Sequence, residues 1–460
     1  MKKQMNYSIR IIGICVLLIA AVVTPPLHAQ QAKIVSSYGP TNQDVSFDQI
    51  KAARMAVKAE RAKEHMELLH SRYILTPKTI AGVVMSGGKP VPVGPTANLQ
   101  GMTWEELDKM TPEQINERGV FPYKPLPFAD HAEGGMLFPE MITKLLPRLV
   151  RFDLDFDLPE YILPDPAPAI YLTTRPDLGD IAKGRLITID NYYEIFNGIL
   201  NPKQLEGLRL LLTQFPQQQF NSTEDRRTDR PSLGVTCFDC HANGHTNGAT
   251  HLVGDIRPQE FRHRIETTSL RGVNIQRLFG SQRALKTVED FTEFEQRAAY
   301  FDGDICMAVK KGVNALERGS QVHFMAEFLA ILDFPPAPKL NIYGELDRTK
   351  ATPSELSGEA LFNGKARCVS CHPAPYYTDN SMHNLKAERF YKQEQVNGMM
   401  MAHDGMIKTF TLRGIKDSPP YMHDGRCFTL EDTVEYFNLI QQIHLTAREK
   451  ENIVAFLRCL

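Results

Sequence analysis

The chain carries the same five-residue pattern twice, as Cys237-Phe238-Asp239-Cys240-His241 and as Cys368-Val369-Ser370-Cys371-His372. No other feature limits the fold as strongly. Two thiols three positions apart fall on one helical turn, where both can form thioethers to the vinyl groups of a porphyrin. The next residue, a histidine, then lies beneath the macrocycle and offers its imidazole to the iron. Eight cysteines and fourteen histidines placed at random over 460 residues give roughly 0.004 copies of C-x-x-C-H, so two copies exclude coincidence. A zinc site needs two C-x-x-C pairs about 15–20 residues apart, and here well over a hundred residues separate them. A thioredoxin-like dithiol leaves the repeated histidine unexplained. The motifs therefore imply two covalently bound haem c groups, attached through Cys237, Cys240, Cys368 and Cys371, with His241 and His372 as axial iron ligands.

The amino terminus sets the expected compartment. Lys2, Lys3 and Arg10 precede an uncharged apolar run over residues 11–23, which at thirteen residues is shorter than the roughly 20 that span a bilayer. With the small residue Ala29 at its end, the segment 1–29 reads as a secretory signal, an uncleaved anchor being the alternative. The expected location is the periplasm. Removing the signal takes away Cys15 and moves the net charge from −2 to −5. No basic footprint marks a nucleic-acid binder. Cys306, Cys427 and Cys459 follow no pattern. Export permits one disulfide among them, while buried free thiols acting as small hydrophobes are the default.

The two motifs sit inside a longer repeat. Asn201-Pro202-Lys203-Gln204 and Thr352-Pro353-Ser354-Glu355 each supply an N-cap, a proline at the first helical position and Gln or Glu at the third. Each start leads through a loop into a C-x-x-C-H. Downstream, Leu270-Arg271-Gly272-Val273 echoes Leu412-Arg413-Gly414-Ile415, and Thr287-Val288-Glu289-Asp290 echoes Thr429-Leu430-Glu431-Asp432. A closing apolar helix over 325–332 matches 453–460. Strand-period alternation is scarce. The reading is a mainly α chain: two cytochrome c-like helical haem domains in tandem, 201–340 and 341–460, preceded by an extension over 30–200. A long helix should start at Ser46-Phe47-Asp48-Gln49 and run to about His70. Beyond it, fifteen of the thirty prolines lie between Pro77 and Pro176, which predicts loop-rich chain packed on the haem domains, with apolar stretches such as 141–149. Trp104, in a short helix over 103–110, reads as an aromatic docking residue.

Residues 195–460 resemble the bacterial dihaem cytochrome c peroxidases and the related MauG-type dihaem oxidases. The likeness is carried by the second haem motif, Thr411-Leu412-Arg413-Gly414, Pro420-Tyr421-Met422-His423-Asp424-Gly425-Arg426 and Thr429-Leu430-Glu431, and it ends in Ala455-Phe456-Leu457. The resemblance implies a peroxide-reacting haem in the first domain and an electron-accepting haem in the second. It implies hydrogen peroxide as substrate and a small donor cytochrome or cupredoxin as partner. Where the family supplies a Met or Tyr ligand, this chain has Phe437, which cannot coordinate iron. Tyr436, Met422 and His444 are candidate sixth ligands for that centre, and Met399, Met400, Met401 and Met406 add further ones. In the first domain the family's distal histidine position reads Arg257. His245, His251 and His263 are candidates to replace it, the first two as sixth ligands, and His251, His263 and Glu293 as distal catalytic groups, with Glu295 beside them. Arg271 and Arg413 are expected to pair with haem propionates or to shape a turn. The family's inter-haem tryptophan is replaced by Phe279-Gly280-Ser281. An interdomain calcium ion is also a family feature, but its asparagine is missing near Ile265-Glu266, so calcium is not counted on. Three readings remain open: a peroxidase, a MauG-like or oxygenase-like oxidase acting on an organic or protein substrate, and a non-enzymatic electron-transfer cytochrome. The oligomeric state is not readable.

Overall fold

Helix starts written into the sequence account for most of the regular structure. Asn201 Oδ1 accepts the Gln204 amide (3.0 Å) while Gln204 Oε1 accepts the Asn201 amide (3.1 Å). Thr352 with Glu355 and Thr446 with Glu449 close the same reciprocal box. Each such cap is worth about 1 kcal/mol, and Pro202 and Pro353 occupy first-turn positions whose amides would otherwise be orphaned. The computed structural model describes residues 47–127, 136–150, 156, 158–214, 235–251, 264–281, 285–298, 315–392, 395–396, 399–400 and 405–460. The readings placed on the leader, Arg257, His263, Cys306 and Met401, and on the side chains of His251, Met399 and Met400, lie outside the described residues and side chains.

The described chain is mixed helical with few, short strands. Seven helices reach ten residues or more: α1 (Phe47–Arg72), α2 (Pro202–Leu211), α3 (Val288–Ala298), α4 (Ala315–Leu329), α5 (Pro353–Asn363), α6 (Leu430–Ile440) and α7 (Ala447–Leu457). Among the described residues no strand exceeds the six of Thr79–Val84, which pairs antiparallel with Pro90–Pro92.

The sequence repeat has the same local geometry in both copies. α2 packs on α4 and α5 packs on α7, and each pair crosses at a glycine. A Cβ on Gly207 would lie 1.9 Å from the Phe324 carbonyl oxygen, and one on Gly358 would lie 1.9 Å from that of Asn452. Gly272 and Gly414 both take the left-handed conformation (φ 71° and 70°) and donate their amides to Leu332 O and Leu460 O, at 2.9 Å each. A backbone bridge joins Phe279 to Leu285, and its counterpart joins Tyr421 to Cys427. Thr287 and Thr429 then cap α3 and α6 through the amides of Asp290 and Asp432.

The extension belongs to both cores. Leu69 and Tyr73 of α1 and its end, with Phe121 and Leu126, share one apolar cluster with Phe362, Phe428, Tyr436 and Phe456. Ile170, Ile187 and Phe196 share another with Leu208, Phe238, Met325 and Phe328. Burying one such side chain contributes about 1.5–3 kcal/mol. Trp104 stacks edge-on against Phe121 with centroids 5.8 Å apart, and the Lys450 ammonium lies 5.8 Å over its ring.

Candidate functional site

The first motif is built as a capped helical turn. Thr236 accepts the Asp239 amide (3.2 Å) and donates its own amide to Asp239 Oδ2 (2.7 Å), which starts the turn Cys237–Cys240. Asp239 is buried, and Arg148 from the extension neutralises it through two bonds of 2.7 and 2.6 Å. The turn carries both cysteines, and His241 follows as its C-cap. Its Nδ1 donates to Thr268 O (2.9 Å), which presents Nε2 as the coordinating atom. Burial disfavours the imidazolium and pushes His241 down to about 4. Burial also raises the Cys240 thiol, with Asp239 adding to the effect and the Glu295 carboxylate a smaller contributor. Glu295 is partly buried on α3. Glu293, two positions away, is partly buried on the same helix.

The second motif has the same donor set in a more open setting. The turn Cys368–Ser370 starts from Arg367 in the left-handed region (φ 55°), without a side-chain cap. His372 Nδ1 donates to Tyr377 O (2.8 Å), again presenting Nε2, and burial lowers its pKa. The Phe410 backbone also faces this ring. Ala374, Pro375 and Tyr376 are exposed immediately after the motif, whereas the residues following His241 are buried. Asp379 bonds the Cys371 carbonyl through its amide (2.9 Å) and His383 Nε2 through its carboxylate (2.7 Å). In both motifs a carbonyl fixes one ring nitrogen, and two sulfurs stand one turn upstream. This donor set fits haem c.

Other sequence candidates fall in different places. His245, a candidate sixth ligand, is buried, with Nδ1 bonded to Ser269 Oγ (2.7 Å) and Nε2 bonded to Asp417 O (2.9 Å). His444 is exposed on the turn between α6 and α7, and Nδ1 pairs with Asp108 Oδ2 at 3.0 Å. Tyr436 is fully buried, its ring edge-on to Phe121 (6.1 Å) and under the Arg426 guanidinium (5.8 Å). Met422 is partly buried at the rim of the larger cluster with φ 70°, and Met406 is exposed. Arg413 Nε donates to Leu460 O (3.1 Å). Arg271 pairs with Asp417 (2.9 Å) and Ala169 O (2.7 Å), while its Nε finds no acceptor among the described residues. A buried donor of this kind is what a carboxylate of a bound group would satisfy.

Three residues at the meeting of the two halves had no sequence signal. Asp417 accepts from Arg271 and from the Ser86 amide (3.0 Å), and its carbonyl holds His245, so it ties the extension and both halves together. Glu266 is buried, donates its amide to His423 O (2.9 Å) and accepts from Thr246 (3.0 Å); burial raises its pKa well above the ordinary range. Lys408 is 3% exposed. The Asp239 box was readable, because Thr236-x-x-Asp239 is a capping pattern inside the haem motif itself. In the His423-Asp424-Gly425-Arg426 stretch, burial alone would raise Asp424, but Arg426, at 2.8–3.0 Å, holds it below the ordinary value.

No family model matches the chain. Curated relatives do. Over 173 residues it is 28% identical to the cytochrome-c peroxidase IdrP2 of Pseudomonas sp. (strain SCT), covering 30% of this chain and 47% of that protein, so it spans about half that relative's length. Over 281 residues it is 23% identical to the cytochrome-c peroxidase IdrP2 of Denitromonas iodatirespirans, covering 50% of this chain and 76% of that one. Over 121 residues it is 32% identical to the methylamine utilization protein MauG of Methylorubrum extorquens, covering 22% and 33%. The chain thus resembles cytochrome c peroxidases and MauG proteins in sequence.

Proposed function

We propose that the chain is a dihaem c-type oxidoreductase that reduces hydrogen peroxide with electrons from a small donor cytochrome or cupredoxin, and that it works in the periplasm after export. The observation that carries this reading is the pair of C-x-x-C-H turns whose histidines each have Nδ1 pinned to a carbonyl, at 2.9 and 2.8 Å. When bound, each haem supplies an iron that exchanges one electron at a time. Peroxide reduction consumes two electrons and two protons and yields two waters, which matches a chain built around two such centres.

The protein's own residues divide the work. Cys237, Cys240, Cys368 and Cys371 hold the two groups covalently, and His241 and His372 fix the metals from one side. Around the first motif the walls are buried, which favours this side for peroxide. His251, His263 and Glu293 remain the proposed distal proton carriers there. The exposed rim at Ala374, Pro375 and Tyr376 favours the second motif as the point of electron entry. Arg271, with its unsatisfied Nε, is the proposed propionate partner.

The test is purification from a host able to attach haem c, followed by a denaturing-gel haem stain and a pyridine haemochrome count. Two covalent haems per chain and peroxide-dependent oxidation of a reduced donor cytochrome are expected. Colourless protein, or two haems with no turnover after full and half reduction, overturns the reading.

A further inference from the structure

Lys408 is a buried cation that the proposed mechanism does not use. It ends the strand Met406–Lys408, which pairs with Met382–Asn384 of the same half. Its amide donates to Ser281 O (2.8 Å) and its ammonium donates to Arg277 O, both in the other half. The ammonium lies 5.8 Å from the Phe279 ring centroid and 5.5 Å from that of Phe410, within cation–π range of both. Asn380 reinforces the same seam, accepting the Arg277 amide (2.8 Å) and donating to Ile275 O (3.3 Å). The seam is adjacent to the second motif. Phe410 faces the His372 ring through its backbone, and Asn380 follows three residues after Tyr377, whose carbonyl holds His372 Nδ1. A positive charge is thus locked, out of water, between the two halves and on the His372 side.

A fixed cation in a low-dielectric site favours the reduced state of a nearby metal centre, because reduction adds negative charge. We propose that Lys408 holds the reduction potential of the His372 centre high, and so biases electrons to rest there before they pass to the first half. This rests on the proposed dihaem reading. Lys408 acts through space and is a positioning residue. Its surroundings support the assignment: burial, with Arg277 adding to it and Asp379 opposing it, pushes the ammonium down to about 8. The charged and titratable groups facing it are Arg277 across the seam, Asp379 on its own half, and His383 paired to Asp379 at 2.7 Å.

The experiment is a mediated redox titration of the holoprotein, read at the two haem absorbances, for wild type, Lys408→Gln and Lys408→Arg. Lys408→Gln, which keeps a donor for Arg277 O without the charge, is expected to shift one haem at least tenfold toward the oxidised form, about 59 mV for one electron. Lys408→Arg is expected to stay within a third of that shift. Two covalent haems with the same potentials in wild type and Lys408→Gln overturn the proposal and leave the dihaem reading standing. Wild-type protein without covalent haem overturns both. Should Lys408→Gln fail to fold, Lys408→Met carries the same comparison, and unchanged potentials in that variant overturn the proposal.

Discussion

Asp239 would be an uncompensated charge buried inside the first haem motif were it not for Arg148, which reaches it from the extension with two bonds. Replacing Arg148 with Ala removes hydrogen bonds to a charged group and should cost about 1.5–3 kcal/mol of unfolding free energy in denaturant titrations. Arg148→Lys should recover only part of this, since an ammonium cannot reproduce the two-pronged contact. Glu435 on α6 poses the opposite problem. Burial raises its carboxyl to about 7, and Lys450 at 2.6 Å only partly opposes this. The folded chain therefore holds this proton more tightly than the unfolded one, whose glutamate titrates near 4.5. The stabilisation from this group is full below about 4.5, falls as pH rises to about 7, and is flat above. Unfolding free energies at pH 5 and pH 8 should differ less in Glu435→Gln than in wild type; an unchanged difference would rule Glu435 out as a contributor.

At the scale of elements, each helix pair depends on one missing side chain. In Gly207→Ala or Gly358→Ala the new methyl meets a backbone carbonyl at 1.9 Å, which cannot swing aside as a side chain could. Overpacking costs about 1–3 kcal/mol, and the gain in helix propensity is about 1 kcal/mol or less, so both variants should lose stability. Gly319 in α4 is the internal comparison, since nothing lies within 4 Å of a Cβ there. Gly319→Ala should leave stability unchanged or raise it by up to about 1 kcal/mol, and thermal unfolding of the three variants would show the opposite signs side by side. The caps of α2 and α5 were legible because a capping box is written within four consecutive residues. The glycine crossings were not, because a helical glycine announces nothing about the backbone it will meet more than ninety residues away.

Across the whole molecule the extension is structural material for both halves. Asp432 of α6 receives the Thr96 amide and hydroxyl at 2.6 Å each and the Ala97 amide at 3.1 Å. Asp165 receives the amides of Gly87 and Lys89 at 3.0 Å. A chain lacking residues 30–163 would expose Phe362, Phe428, Tyr436 and Phe456 and strand the Asp432 carboxylate. Such a truncation should be insoluble or lose cooperative unfolding, while the full chain melts in a sharp transition. A soluble, cooperatively folding truncation would show that the extension merely decorates the haem-motif halves.

By itself the sequence determined the two C-x-x-C-H turns, the caps, and the order of the repeated elements. All of these are local, set by residues within a turn or two of one another, and chain geometry alone converts their spacing into position. Tertiary structure decided which partners the imidazole nitrogens met, as at His245, and where buried charges such as Lys408, Asp417 and Glu266 came to rest. The contacts His245–Asp417, Lys408–Arg277 and Asp417–Ser86 join residues 172, 131 and 331 positions apart, and no local pattern records them. They follow from packing two similar halves and a long extension together, where a buried charge is costly unless another segment supplies a partner.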